Sequence, residues 1–177
     1  MHAALHALQN YRMVAPSHFY PIGKPGVAWG EAERAEWLSR ADVKSRSYAD
    51  DVLAQLEQFK SRFDVIQYGA LSQDTQRYPL HVVKTRDFGV GANGDKPYIL
   101  ITGGTHGYET SGVLGALLFV QQHMEKSSAH YNIAVIPCVS PWSYECIQRW
   151  NAKAIDPNRQ VHVYDLAPTR WCSDVTL

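Results

Sequence analysis

Charge of one sign is what this sequence of 177 residues most plainly lacks. Its seventeen Lys and Arg are balanced by seventeen Asp and Glu, so it has no basic field to hold a nucleic acid or an anionic membrane. Long apolar runs are absent too. The longest, Val113 to Val120, is far short of the ~20 residues that cross a bilayer. Its opening, Met1 to Asn10, has neither a cationic start nor a sustained apolar stretch, and such a start predicts a cytoplasmic protein without a secretory signal. Cysteine is scarce: Cys138, Cys146 and Cys172 show no Cys-x-x-Cys spacing, which argues against a disulfide framework or a thiolate zinc site and predicts reduced, mostly buried thiols. Internal repeats and low-complexity tracts are missing as well.

What is there is enough apolar material, 45% of residues, to bury one sizeable core. The chain reads as three stretches. Residues 1–60 form an irregular and helical extension. Pro21, Gly23, Pro25 and Gly26 break up its entry. In Glu31 to Arg40 the acidic residues come first and Arg40 last, matching the helix dipole. Asp50 to Phe63 places Val52, Leu53, Leu56 and Phe59 at helical spacing.

From residue 61 to 160 short apolar runs alternate with helical ones. Val65–Tyr68 and Tyr78–Thr85 read as strands around the polar turn at Ser72 to Thr75, and Tyr98–Thr102 reads as a strand of the buried type. Ser111–Met124 has helical periodicity, and Tyr131–Val139 is again strand-like. Strand, loop, helix, strand is a βαβ unit. It predicts an α/β fold with a mixed, partly parallel sheet flanked by helices, and ligand-binding loops after Thr102 and after Val139.

The first of those loops runs Gly103-Gly104-Thr105-His106-Gly107-Tyr108-Glu109. Imidazole nitrogen and carboxylate oxygen both suit zinc, and their spacing at a strand-to-helix turn lets His106 and Glu109 reach one ion. Glycines at 103, 104 and 107 let the backbone turn sharply and leave room for the ion and a substrate. The alternative is a plain strand-to-helix turn with a capping glutamate. The second loop holds Arg149, Asp156, Asn158 and Arg159. Guanidinium and amide groups can grip a carboxylate or stabilise an oxyanion, and Asp156 could orient a metal-bound histidine; a solvated polar turn is the alternative.

Taken together, from Gln67 to Gln160, the two loops resemble the M14 family of zinc carboxypeptidases and its aspartoacylase and succinylglutamate desuccinylase relatives. The likeness rests on strand, Gly-Gly-Thr-His-Gly-Tyr-Glu, helix, strand, Pro-Trp-Ser-Tyr, and Arg149 nine residues before Asn158-Arg159. It implies a zinc carboxypeptidase-like fold in which His106 and Glu109 ligate zinc and Asp156 bonds the ligating histidine. It also implies that Arg149 stabilises the oxyanion and that Asn158 and Arg159 anchor the terminal carboxylate of a peptide or acyl-amino-acid substrate. The implied reaction is hydrolysis of a C-terminal peptide bond, or of an N-acyl amino acid in the deacylase branch; a non-catalytic metal- or carboxylate-binding fragment is the alternative from another class. The family pattern also uses a downstream histidine as third ligand and a later glutamate as base. Here no glutamate follows Glu145, and His162 is the only histidine after Arg159. Residues 161–177 therefore read as an atypical tail, as truncation or a shifted reading frame would leave it, and the expected fold is incomplete. His2, His6, His18, His81, His123 and His130 share no ligand spacing and read as structural.

Overall fold

The computed structural model describes residues 21–159 together with Val175 and Thr176. The tail histidine His162, the N-terminal His2, His6 and His18, and Cys172 lie outside the described residues. Helix α1, Glu31–Ala41, starts at Gly30, whose N–H donates to the Glu33 carboxylate at 2.9 Å, and it carries Glu31 and Glu33 in its first turn and Arg40 in its last, as the dipole argument requires. The second helical stretch begins as a π-wound turn over Ala49–Leu53 and continues as helix α2, Ala54–Phe59. It is shorter than its periodicity suggests, because the chain turns at Lys60 to Phe63 before entering the sheet. Tyr48, Val52, Leu56 and Phe59 from this stretch join the same buried cluster as Leu80, Val83, Val113, Leu117, Ile133 and Val135.

Strands β1 (Asp64–Leu71), β2 (Pro79–Lys84), β3 (Tyr98–Thr102), β4 (Asn132–Ile136) and β5 (Val175–Thr176) form one sheet in the order β3-β4-β2-β1-β5. Only β3 and β4 are parallel, with Ile99 beside Ile133 and Ile101 beside Val135. Their crossover is helix α3 (Thr110–Gln122) followed by the short α4 (Met124–Ser127). The remaining pairs are antiparallel. The mixed sheet flanked by helices is the expected class.

Three local expectations change. Strand β3 is not fully buried: Tyr98 is 60% and Leu100 66% exposed, whereas Ile99 and Ile101 pack on the core. Among the described residues its one strand neighbour is β4, and the core packs against only one face of this apolar run. Residues after Ile136 leave the sheet and form a short helix, α5 (Pro141–Glu145), opened by a proline whose missing N–H costs nothing at that position. The tail, which shows no strand pattern in sequence, pairs Val175 and Thr176 with Leu71 and Ala70. Backbone bonding at a free edge needs no particular side-chain pattern. Among the described residues no helix is long and apolar enough to cross a membrane. Cys138 and Cys146 are buried free thiols.

Under α5 lies a buried carboxylate. Glu145 is 2% exposed. It accepts from the Tyr48 backbone N–H at 3.0 Å, Arg77 Nε at 2.8 Å and the Tyr78 hydroxyl at 2.9 Å. Burial pushes its pKa up, but these donors outweigh that and hold it below the usual carboxylate value. The contacts pin α5 to the helical stretch near Tyr48 and so fix the platform on which the first loop rests.

Candidate metal centre

The loop after β3 turns so sharply because of what packs against it. At Gly107 a Cβ would lie 1.9 Å from the Ser143 carbonyl carbon and 2.2 Å from the Tyr144 nitrogen; at Gly103 it would lie 2.5 Å from the Gly112 oxygen and 2.7 Å from the Pro137 oxygen. Gly104 adds a positive φ of 63°. Gly103 and Gly107 thus make room for neighbouring backbone, and Gly104 makes room for the Val113 side chain. The loop is tied to the start of the second by the Ser140 hydroxyl, which donates to the Thr105 oxygen at 2.9 Å, and to the segment between α1 and α2 by the Arg46 guanidinium, which donates to the Gly107 oxygen at 3.0 Å.

His106 is carried inward by this turn and is 5% exposed. Its Nε2 lies 3.0 Å from Asp156 Oδ1, and its Nδ1 lies 3.1 Å from Glu109 Oε1. Asp156 is a pure acceptor, so Nε2 carries the proton facing it. The gap between Nδ1 and Glu109 then holds either a second proton or a cation ligated by both atoms. Two ligands of one tetrahedral zinc at ~2.0–2.2 Å stand roughly 3.4 Å apart, close to the separation seen. The carboxylate on the far nitrogen is the usual partner of a metal-binding histidine. Glu109 occupies the position just before α3, but its side chain makes no capping bond there, which removes the capping reading. The pair therefore fits a metal ion as two donors of its set. Among the described residues no group of three His, Cys, Asp or Glu side chains is arranged to hold an ion.

Asp156 is the hub. Its Oδ2 accepts Arg149 Nη2 at 2.9 Å and Nε at 3.1 Å, and its Oδ1 accepts the Asn158 backbone N–H at 3.0 Å. Burial works to raise the Asp156 pKa, yet the bonds from His106, Arg149 and Asn158 prevail and bring it down to about 2. Bonding to His106 foremost, helped by Tyr108 and by the Arg149 charge, holds Glu109 below its usual range as well. Arg149 is thus tied to the His106 cluster. Asn158 and Arg159 come to it through their backbone, with the Arg159 N–H on the Asp156 backbone carbonyl oxygen at 3.0 Å, and both residues are exposed. Sequence spacing treats Tyr108 as a spacer inside the motif; in the fold its hydroxyl accepts from Arg149 Nη1 at 3.1 Å. An aromatic hydroxyl between two candidate ligands was the one available signal.

No protein-family profile and no curated protein matches the sequence. Among solved structures the chain is similar to a protein provisionally described as a metallopeptidase from Shewanella amazonensis SB2B, at 23% identity over 62% of this chain and 38% of that one, with a TM-score of 0.50. It is also similar to one of the same description from Shewanella baltica OS155, at 23% identity over 63% of this chain and 39% of that one, with a TM-score of 0.52. A third, from Shewanella denitrificans OS217, has 22% identity over 59% of this chain and 38% of that one, with a TM-score of 0.50. The chain spans less than two fifths of the length of these structures. It has their fold over the part it covers, in agreement with the resemblance drawn from the two loops.

Proposed function

We propose that this chain carries part of the centre of a zinc-dependent metallocarboxypeptidase-type hydrolase, acting on peptides or acyl-amino acids with a free carboxylate. The observation that carries the reading is the His106 imidazole held between two carboxylates, with Asp156 on Nε2 and Glu109 3.1 Å from Nδ1. Zinc bound there would supply a Lewis acid for attack on an amide carbonyl. His106 and Glu109 would hold it, and Asp156 keeps the His106 ring in the tautomer that leaves Nδ1 free to ligate. Arg149 keeps one N–H on Nη1 beyond its bonds to Asp156 and Tyr108, and it can donate to a carbonyl oxygen as negative charge develops. The exposed Asn158 and Arg159 suit a terminal carboxylate, which a guanidinium grips in bidentate fashion. Balanced charge supports a substrate-binding role without nucleic-acid or membrane partners.

One observation favours binding without turnover for the 177 residues alone. Glu145, the last glutamate in the sequence, is buried against Arg77 and Tyr78, so it is no candidate for a general base. Among the described residues no group of three ligands is assembled; a site with two protein ligands binds zinc weakly, and lack of a general base commonly costs ~10²–10⁴ in rate. The test is a zinc titration by calorimetry alongside a peptide-release assay on the purified chain, each repeated with His106→Ala. The expected result is weak zinc binding that His106→Ala abolishes, with background hydrolysis in both. Zinc binding that survives His106→Ala would sink the site assignment, and robust turnover lost in His106→Ala would overturn the inactivity.

A further inference from the structure

The residue between Gly107 and Glu109 carries an inference that deepens, and rests on, the metal-site reading above. The Tyr108 ring lies nearly parallel to the His106 imidazole, with centroids 5.9 Å apart and planes 12° apart. Its hydroxyl accepts from Arg149 Nη1 at 3.1 Å, while the other edge of the same guanidinium rests on Asp156 Oδ2. Asp156 Oδ1 in turn holds His106 Nε2. A circuit of contacts therefore leaves His106 through Asp156, crosses Arg149, and returns through the Tyr108 ring. The Tyr108 backbone N–H donates to the Gln148 oxygen at 3.2 Å, which brings the two loops together beside Arg149.

Packing does not account for a tyrosine here. The side chain is 42% exposed and lies outside the buried cluster. Its hydroxyl and the Asp156 carboxylate hold the Arg149 guanidinium from two sides, one on Nη1 and the other on Nε and Nη2. We propose that Tyr108 is a positioning residue: with its ring along His106 and its hydroxyl accepting from Arg149, it keeps the guanidinium on Asp156 and thereby keeps the His106 imidazole turned for metal binding. A group that orients a ligand without touching the metal typically governs affinity by ~10–100-fold.

The test titrates zinc sulfate into the full 177-residue chain and its Tyr108→Phe and His106→Ala variants. Imidazole and arginine Nε–H resonances are followed by NMR, and the thermal midpoint of each metal-free protein is recorded. Tyr108→Phe keeps the stacked ring and removes only the hydroxyl. The expected outcome is zinc affinity lowered about tenfold, faster exchange of the Arg149 Nε–H, and an unchanged thermal midpoint. Wild-type zinc affinity in Tyr108→Phe, with binding lost in His106→Ala, overturns this inference and leaves the metal site standing. A thermal midpoint that falls together with affinity overturns it too, since a merely structural ring would move both. Zinc binding untouched in both variants sinks the metal-site reading and this inference with it.

Discussion

Replacing Gly107 by alanine distinguishes two explanations of the glycine-rich loop. The added methyl would meet the Ser143 carbonyl carbon at 1.9 Å, its oxygen at 2.0 Å and the Tyr144 nitrogen at 2.2 Å. Carbon contacts settle near ~3.5–4 Å, so the loop and α5 would have to separate by roughly 1.5 Å. The obstructing atoms are backbone, with no flexible side chain to swing aside. Separation would also stretch the Tyr108 N–H to Gln148 oxygen bond and strain the Gln148 N–H to Ser143 oxygen bond, 3.2 and 2.8 Å in the intact protein. Overpacking costs ~1–3 kcal/mol and each weakened hydrogen bond up to about 1 kcal/mol, so the expected loss is about 3 kcal/mol. Urea unfolding followed by tryptophan fluorescence reads this directly, since Trp37 and Trp142 pack with ring centroids 6.0 Å apart. Gly115→Ala is the matched control: its methyl meets nothing within 4 Å in the middle of α3, and alanine for glycine in a helix stabilises by ~0.5–1 kcal/mol. An unchanged urea midpoint in Gly107→Ala would refute the packing argument. If stability held while zinc binding vanished, the glycine would be there to leave space for the ion.

Two further substitutions address groups away from the loop. Glu145→Ala strands the Tyr48 N–H and the Tyr78 hydroxyl, whereas Arg77, about half exposed, turns to water; the expected loss is ~2–4 kcal/mol, read as a lower urea midpoint, and a loss under about 0.5 kcal/mol would contradict the network's role. His81, on β2, has a buried Nδ1 without a hydrogen-bond partner, and burial, opposed by the Pro79 backbone, lowers its pKa below 6.5. A base with a lowered folded pKa leaves the unfolded chain holding more protons, so its contribution to stability is full above about pH 6.5 and is lost as pH falls towards the folded value. His81→Phe should therefore flatten the stability profile between about pH 7 and 5 in thermal melts at fixed ionic strength, and an unaltered slope would count against a buried neutral imidazole.

Local spacing alone determined several features, because the restraints involved act within one or two turns of chain. Acidic-to-basic order wrote α1, the i, i+3, i+4 apolar pattern wrote the stretch through Val52, Leu56 and Phe59, and the three-residue separation of His106 and Glu109 at a strand-to-helix turn brought His106 Nδ1 to within 3.1 Å of Glu109. Pairings across long separations were settled only by the fold. Asp156 reaches His106 from fifty positions away, and Arg149 reaches Tyr108 from forty-one, because α3 and β4 return the chain to the end of β3 and α5 carries it across. The same return sets backbone against Gly107 and buries Glu145 among donors from Tyr48, Arg77 and Tyr78. It also decides which face of β3 is covered: an apolar strand reads identically whether one face of its sheet is packed or both, since its own residues do not record what lies above and below, and here Ile99 and Ile101 face the core while Tyr98 and Leu100 do not.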